Sequence, residues 1–133
     1  MLGCAQLSTP TPFAKASQTP KERLLAFQQS DKKDGATIIV LRDDGFFGGA
    51  CYHGIWINGV LAGRLEPAEV ATFYVEPGDY VLTIGNVGTG SSVCDAQRDR
   101  VNRETSLRPG QRKVFRALWN KNDGMPDIQP HVQ

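Results

Sequence analysis

The stretch Tyr52-His53-Gly54-Ile55-Trp56-Ile57-Asn58-Gly59-Val60-Leu61-Ala62-Gly63-Arg64-Leu65 decides the fold class of this chain. Two apolar runs flank Asn58-Gly59 within it. Asn-Gly favours a type I′ turn, because that turn needs a positive φ at both central residues. The pattern therefore predicts a β-hairpin over residues 52–65.

A second pair of apolar runs follows over residues 72–84 and turns at Glu76-Pro77-Gly78-Asp79. Two consecutive hairpins predict an antiparallel β-meander and hence an all-β protein. The run Ala36-Thr37-Ile38-Ile39-Val40-Leu41-Arg42 is β-branched and almost wholly apolar. It is typical of a central strand that is covered on both faces.

The other elements complete the predicted fold. Thr19-Pro20-Lys21-Glu22 has the form of a helix start with a capping box, which predicts a short helix ending by Ser30. Residues 101–107 and 111–119 are expected to pair as antiparallel strands, and residues 127–129 as a short edge strand. We therefore expect an antiparallel β-sandwich of Ig-like or transthyretin-like type, with about seven strands and a short N-terminal helix.

Length and charge limit the classes of function that this chain is expected to have. A chain of 133 residues is expected to form one domain, and its formal net charge of +1 does not call for nucleic acid or an anionic membrane as partner. The exception is residues 98–116, which contain seven basic and two acidic residues. They indicate either an anionic partner or, as we prefer, the solvated face of the last strand pair.

Met1-Leu2-Gly3-Cys4 resembles the end of a bacterial lipoprotein signal peptide, the lipobox, in which a small residue precedes the acylated cysteine. The resemblance implies that Cys4 carries the lipid. It also implies an outer-membrane, periplasm-facing location, because Ala5 replaces the Asp that commonly retains such proteins at the inner membrane. The alternative is an ordinary cysteine in a disordered start.

The predicted domain organisation follows from this. Residues 1–4 are the lipobox remnant, residues 5–19 are a flexible tether rich in Ser, Thr, Gln and Pro, and residues 20–130 are the β-sandwich domain.

Cys51 and Cys94 are the other two cysteines of the chain. In an exported protein they are expected to form a disulfide, which would stabilise the fold by about 4 kcal/mol on the chain-entropy model. In a cytosolic protein they would be two free thiols. No Cys-x-x-Cys spacing indicates a redox role.

Nothing in the pattern predicts catalysis, a metal or a cofactor. His53 and His131 are the only histidines, and Cys51 lies too far along the strand from His53 for a nucleophile pair. The glycine-rich run of residues 85–92 meets neither the dinucleotide fingerprint nor the P-loop pattern.

Several segments together are similar to a family of small bacterial lipoproteins of unknown function with one β-sandwich domain. They are the strand that ends at Arg42, the Phe-Gly loop after it, Ile55-Trp56-Ile57-Asn58-Gly59-Val60-Leu61-Ala62-Gly63, and Val75-Glu76-Pro77-Gly78-Asp79-Tyr80-Val81-Leu82. The middle portion also resembles PEGA-type surface repeats. The resemblance covers about residues 36–119 and implies a fold, but no catalytic residue.

Two functions of different class are consistent with the sequence. The first is a non-enzymatic envelope lipoprotein that is anchored by its lipid and binds another envelope protein or a cell-wall component. The second is a module for a glycan or a small amphiphile, with a candidate binding surface of Phe46, Phe47, Tyr52 and Trp56. The role of Trp56 depends on which way its side chain faces. If it faces outward it belongs to that surface, but we expect it to lie in the core.

Overall fold

A computed structural model describes residues 8–45, 51–88, 94 and 100–131. These residues form nine strands in two sheets, with short 3-10 turns at Phe13–Lys15 and Lys21–Arg23. The predicted all-β class is confirmed. The predicted number of about seven strands is wrong for the described residues, which form nine; the two-residue β1 strand, Ser17–Gln18, was not predicted. Cys4, Phe46 and Phe47 lie outside the described residues.

Two sheets make up the fold. The strands are β1 Ser17–Gln18, β2 Ala36–Arg42, β3 Tyr52–Ile57, β4 Val60–Leu65, β5 Glu69–Val75, β6 Gly78–Val87, β7 Arg100–Leu107, β8 Arg112–Asn120 and β9 Met125–Pro130. One sheet has the order β1-β5-β2-β8-β9, and the other has the order β4-β3-β6-β7. Pairings β1–β5 and β2–β8 are parallel, and the remaining pairings are antiparallel.

Both sheets contribute to one core. Ile38 of β2 and Phe73 of β5 come from the five-stranded sheet, while Ile55 of β3 and Ile84 of β6 come from the four-stranded sheet, and all four are fully buried in one cluster. Alternate residues of the longer strands face this shared interior, as expected for two packed sheets.

The hairpin of β3 and β4 is confirmed. Asn58 has φ 48° and Gly59 has φ 80°, as a type I′ turn requires. The Asn58 side chain also accepts a hydrogen bond from the backbone N–H of Val81, at 2.8 Å. The turn is therefore held against β6 as well as closing its own hairpin.

The predicted second hairpin is wrong. β5 and β6 follow each other along the chain, but β5 pairs with β2 in one sheet and β6 pairs with β3 and β7 in the other. The turn at Glu76 and Pro77 therefore crosses between the sheets, and the chain does not form a meander. Alternation marks which face of a strand is apolar, but it does not say which strand lies beside it.

The predicted pairing of residues 101–107 with residues 111–119 is wrong for the same reason. β7 is an edge strand of the four-stranded sheet, whereas β8 lies between β2 and β9 in the five-stranded sheet. The basic residues of this region are therefore spread over several faces instead of one. The predicted edge strand at residues 127–129 is confirmed as part of β9.

The predicted N-terminal helix is wrong. Only Lys21–Arg23 forms a 3-10 turn, and the chain after it runs along β4, where Leu25 N–H donates to Ala62 O at 2.8 Å. Phe27 has φ 62°, which a right-handed helix does not permit. Covering the exposed edge of β4 thus overrides the local helix signal.

The described part of the predicted tether, from Ser8 onward, lies against the five-stranded sheet. Thr9 pairs with Asp44, and β1 pairs with β5. Thr19 is buried, and its hydroxyl donates to Val70 O at 3.1 Å. Polar residues can follow a sheet edge in this way because backbone hydrogen bonds hold them without a large apolar surface.

Candidate functional site

A disulfide closes one end of the sandwich. Cys51, directly before β3, is bonded to Cys94 with an S–S distance of 2.04 Å, across 43 positions of sequence. The expected pairing is confirmed. Neither sulfur is available as a thiol nucleophile, which removes the Cys51–His53 pair from consideration.

Arg42, at the end of β2, holds this end of the fold together. Its side chain is buried, and its Nη1 donates to Leu65 O at 2.5 Å and to Cys51 O at 3.1 Å. Burial lowers the pKa of Arg42 to about 10, and the negative charges of Glu69, Glu66 and Asp43 partly offset the shift. Arg42 therefore links β2 to the end of β4 and to the disulfide.

His53 lies beside Asn86 on the inner face of the four-stranded sheet. Both side chains are buried. Among the described residues, the two ring nitrogens of His53 have no hydrogen-bond partner, and Asn86 Oδ1 has none either. Desolvation by burial, together with the nearby charge of Arg42, holds the pKa of His53 well below its usual range. This shift favours the neutral form of the imidazole.

Tyr52 and Trp56 lie on the opposite, outer face of β3. Trp56 is only 8% exposed, but it is not part of the core between the sheets. The guanidinium of Arg100 covers its ring at 4.0 Å from the centroid, and that of Arg23 lies 5.0 Å from the Tyr52 ring. Trp56 is therefore buried, as expected, but its side chain lies on the outer face of β3 and outside the main cluster between the sheets.

Gly54 explains how Trp56 is buried on an outer face. A Cβ added at Gly54 would lie 2.9 Å from Cη2 and Cζ3 of Trp56 and 2.8 Å from Cγ1 of Val87. The indole ring therefore lies flat over the glycine, with Arg100 above it. A glycine inside a strand next to an aromatic residue is the sequence signal for such close approach.

The candidate aromatic surface is thus only partly assembled in the described residues. Tyr52 and Trp56 share one face, and each is covered by an arginine that sequence reasoning did not assign to it. Arg23 is itself fixed by Glu69 through two hydrogen bonds of 2.7 and 2.8 Å. Arginine side chains therefore lie over both rings, while Tyr52 itself is half-buried.

Neither a metal centre nor a membrane-spanning helix emerges from the described part of the chain. Within residues 8–45, 51–88, 94 and 100–131, no three His, Cys, Asp or Glu side chains are grouped so that they can hold a metal ion. Within the same residues, no helix has the length and apolar character needed to cross a membrane.

Comparisons with known protein families and with curated proteins find no match to this chain.

Proposed function

We propose that this chain is a non-enzymatic bacterial envelope lipoprotein, in which acylated Cys4 anchors a β-sandwich interaction domain to the outer membrane. The observation that supports this best is the Cys51–Cys94 disulfide, because such bonds persist in the oxidising periplasm and are rare in the cytosol. The lipobox-like Met1-Leu2-Gly3-Cys4 supplies the anchor.

The first described residues support a specific orientation on the membrane. The Ser8 hydroxyl donates to Asp43 Oδ2 at 2.6 Å, and Asp43 also binds Arg116, so Ser8 is attached to the end of the sandwich. Four residue steps separate Cys4 from Ser8 and span at most about 14 Å. A lipid on Cys4 would therefore hold the Asp43 end close to the bilayer, and the opposite end would point away from it.

The family relationship is part of the same proposal. The features shared with the small lipoproteins have clear structural roles here: Arg42 ties β2 to the disulfide end, and Asn58-Gly59 turns between β3 and β4. Two sheets that share a core also support an Ig-like or transthyretin-like classification. None of these roles is catalytic, which supports a binding or scaffolding protein.

The glycan or amphiphile module built on Phe46, Phe47, Tyr52 and Trp56 is less well supported. A ligand would have to displace Arg100 from Trp56 before it reached the ring. The partner we favour, another envelope protein or a cell-wall component, needs no such displacement.

Anchoring is tested with the full-length precursor expressed in a bacterium and treated with a signal-peptidase II inhibitor. We expect the precursor to accumulate under the inhibitor and the mature protein to fractionate with the outer membrane in its absence. A Cys4→Ser variant should not respond to the inhibitor and should leave the membrane fraction. Processing that is the same with and without the inhibitor would contradict the proposal.

The orientation is tested by photo-cross-linking in the same cells. A photoreactive amino acid is placed at Arg108, in the turn at the distal end, or at Lys121, in the turn beside the Asp43 end; both positions are exposed. We expect cross-links to an envelope partner from position 108 and to lipid from position 121. The reverse pattern would refute the orientation.

A further inference from the structure

Residues 8–19 form a strap that crosses the outer face of the five-stranded sheet. At its start, the Ser8 hydroxyl accepts a hydrogen bond from the N–H of Trp119, near the end of β8, at 3.2 Å. In its middle, the Phe13 ring lies 5.7 Å from the guanidinium of Arg112, at the start of β8. At its end, β1 pairs with β5. The strap therefore runs from β8 over β2 to β5 and adds a third layer to the sandwich.

A second apolar cluster lies beneath the strap. Its members are the buried side chains of Ile39, Leu41, Val70 and Val114, which are separate from the main core between the sheets. The strap contributes Ala16, which packs against this cluster. The two faces of β2 are therefore covered differently: one by the other sheet, and the other by twelve residues of the strap.

The strap is separable from the rest of the fold. None of its described residues belongs to the main core, and within residues 8–19 only Thr11 and Thr19 are buried. Thr9 and Asp44 exchange two backbone hydrogen bonds of 2.8 Å, and both the N–H and the hydroxyl of Thr19 donate to Val70 O. A segment with few buried apolar contacts opens at a lower free energy than the whole fold.

An empty groove would be unfavourable, because undocking exposes the four apolar side chains of the second cluster to water. A released strap is therefore expected to be replaced by another segment. The strap of a second copy has the same sequence, so it restores every hydrogen bond and every apolar contact. Exchange of an identical element between protomers is a low-cost route to a dimer.

The link after the strap limits the geometry of such an exchange. The bonds of the strap end at Thr19, and the next fixed side chain is Arg23, which binds Glu69. Residues 20–22 between them are exposed. Four residue steps separate Thr19 from Arg23 and span at most about 14 Å. The two grooves must therefore lie close to each other along their β5 edges, related by a two-fold axis.

We propose that the outer face of the five-stranded sheet is a docking groove for the strap of a second copy, so that two chains form a strap-exchanged dimer. In the dimer, Ala16 of each copy lies on the second cluster of the other, and Thr9 pairs with the partner's Asp44. This self-association goes beyond the anchoring function and does not depend on it.

The first test measures self-association of the full 133-residue chain with Cys4→Ser, so that no lipid and no third thiol is present. Sedimentation velocity over a hundredfold range of concentration should show a monomer–dimer equilibrium. Ala16→Asp places a charge on the second cluster and should lower the dimer fraction at least fivefold. Ala14→Asp adds the same charge at an exposed strap position and should change it less than twofold. Near-ultraviolet circular dichroism verifies the fold of each variant.

Cysteine cross-linking distinguishes strap exchange from contact through another surface. Thr9→Cys and Asp44→Cys chains are mixed at high concentration, oxidised and separated on a non-reducing gel. We expect at least five times more cross-linked dimer than from Thr9→Cys mixed with Lys33→Cys, because Lys33 is exposed beyond the opposite end of β2. In a Thr9→Cys/Asp44→Cys double variant, oxidation in dilute solution should lock each strap in its own groove and abolish the dimer.

Three results would overturn the proposal. The first is a chain that stays monomeric at the highest concentration. The second is a locked double variant that dimerises as readily as the native chain, which would mean that the copies meet through another surface. The third is equal cross-linking in the two mixtures. All of these experiments use Cys4→Ser chains, so they can fail while the anchoring experiment succeeds.

Discussion

Acid should destabilise this protein through His53. The side chain is 2% exposed, neither ring nitrogen has a hydrogen-bond partner among the described residues, and the Arg42 charge is close. Burial and that charge hold the pKa of His53 in the fold well below 6.5, whereas the unfolded chain should have a pKa of about 6.5. Between these values the unfolded state binds one more proton than the folded state.

The sign and size of the effect follow from that difference. Stability is fully present above pH 6.5 and falls as the pH drops below it, because protons bind preferentially to the unfolded chain. Between pH 7.5 and 5.5 the factor by which proton binding favours the unfolded chain, 1 + 10^(pKa − pH), rises about tenfold for a histidine with a pKa of about 6.5. This lowers the free energy of unfolding by about 1.4 kcal/mol. Most carboxylates ionise below this window and contribute little within it.

The assay is urea unfolding at pH 7.5 and pH 5.5, monitored by tryptophan fluorescence. We expect the free energy of unfolding of the native chain to fall by about 1.4 kcal/mol between the two conditions. A His53→Leu variant, similar in size and apolar, should lose most of this pH dependence and keep its stability at pH 7.5. His131→Gln, which removes the other histidine, should retain it. If the native chain and His53→Leu show the same change with pH, the reasoning is refuted.

Three further stability predictions follow from the same end of the fold. Replacing Cys51 and Cys94 by Ala should lower the free energy of unfolding by about 4 kcal/mol or less, measured with urea, because the bond closes a long loop; a change below 1 kcal/mol would contradict this. Gly54→Ala should cost about 1–3 kcal/mol, since its Cβ meets Trp56 at 2.9 Å, and it should alter the fluorescence spectrum; an unchanged spectrum and stability would refute the close approach. Arg42→Leu should cost about 2–4 kcal/mol in the same assay because it leaves two backbone carbonyls without their donor, and an unaffected unfolding midpoint would be evidence against that role.

Local turn chemistry and alternation were enough to predict the strands of this fold except β1, which lies in the predicted tether. The Asn58-Gly59 turn needs a positive φ at two adjacent residues, so a hairpin there is specified by a few residues alone. A few local residues do not specify in this way which strands pair with one another. β5 and β6 are joined by a two-residue link and look like a hairpin, but burying both apolar faces requires them to lie in different sheets.

The candidate site likewise contains one feature that the sequence predicted and others that it did not. The Cys51–Cys94 bond was predictable from cysteine arithmetic and an assumed compartment. The arginines that cover Tyr52 and Trp56 were not, because they come from segments far away in sequence.

The central claim, that Cys4 is a membrane anchor, is tested most directly by mass spectrometry of the N-terminal peptide. The protein is purified from the outer membrane of cells that express the full-length precursor. We predict a peptide that begins at Cys4 and carries a thioether-linked diacylglyceryl group. A peptide that contains residues before Cys4 with an unmodified thiol, recovered from the soluble fraction, would contradict the account.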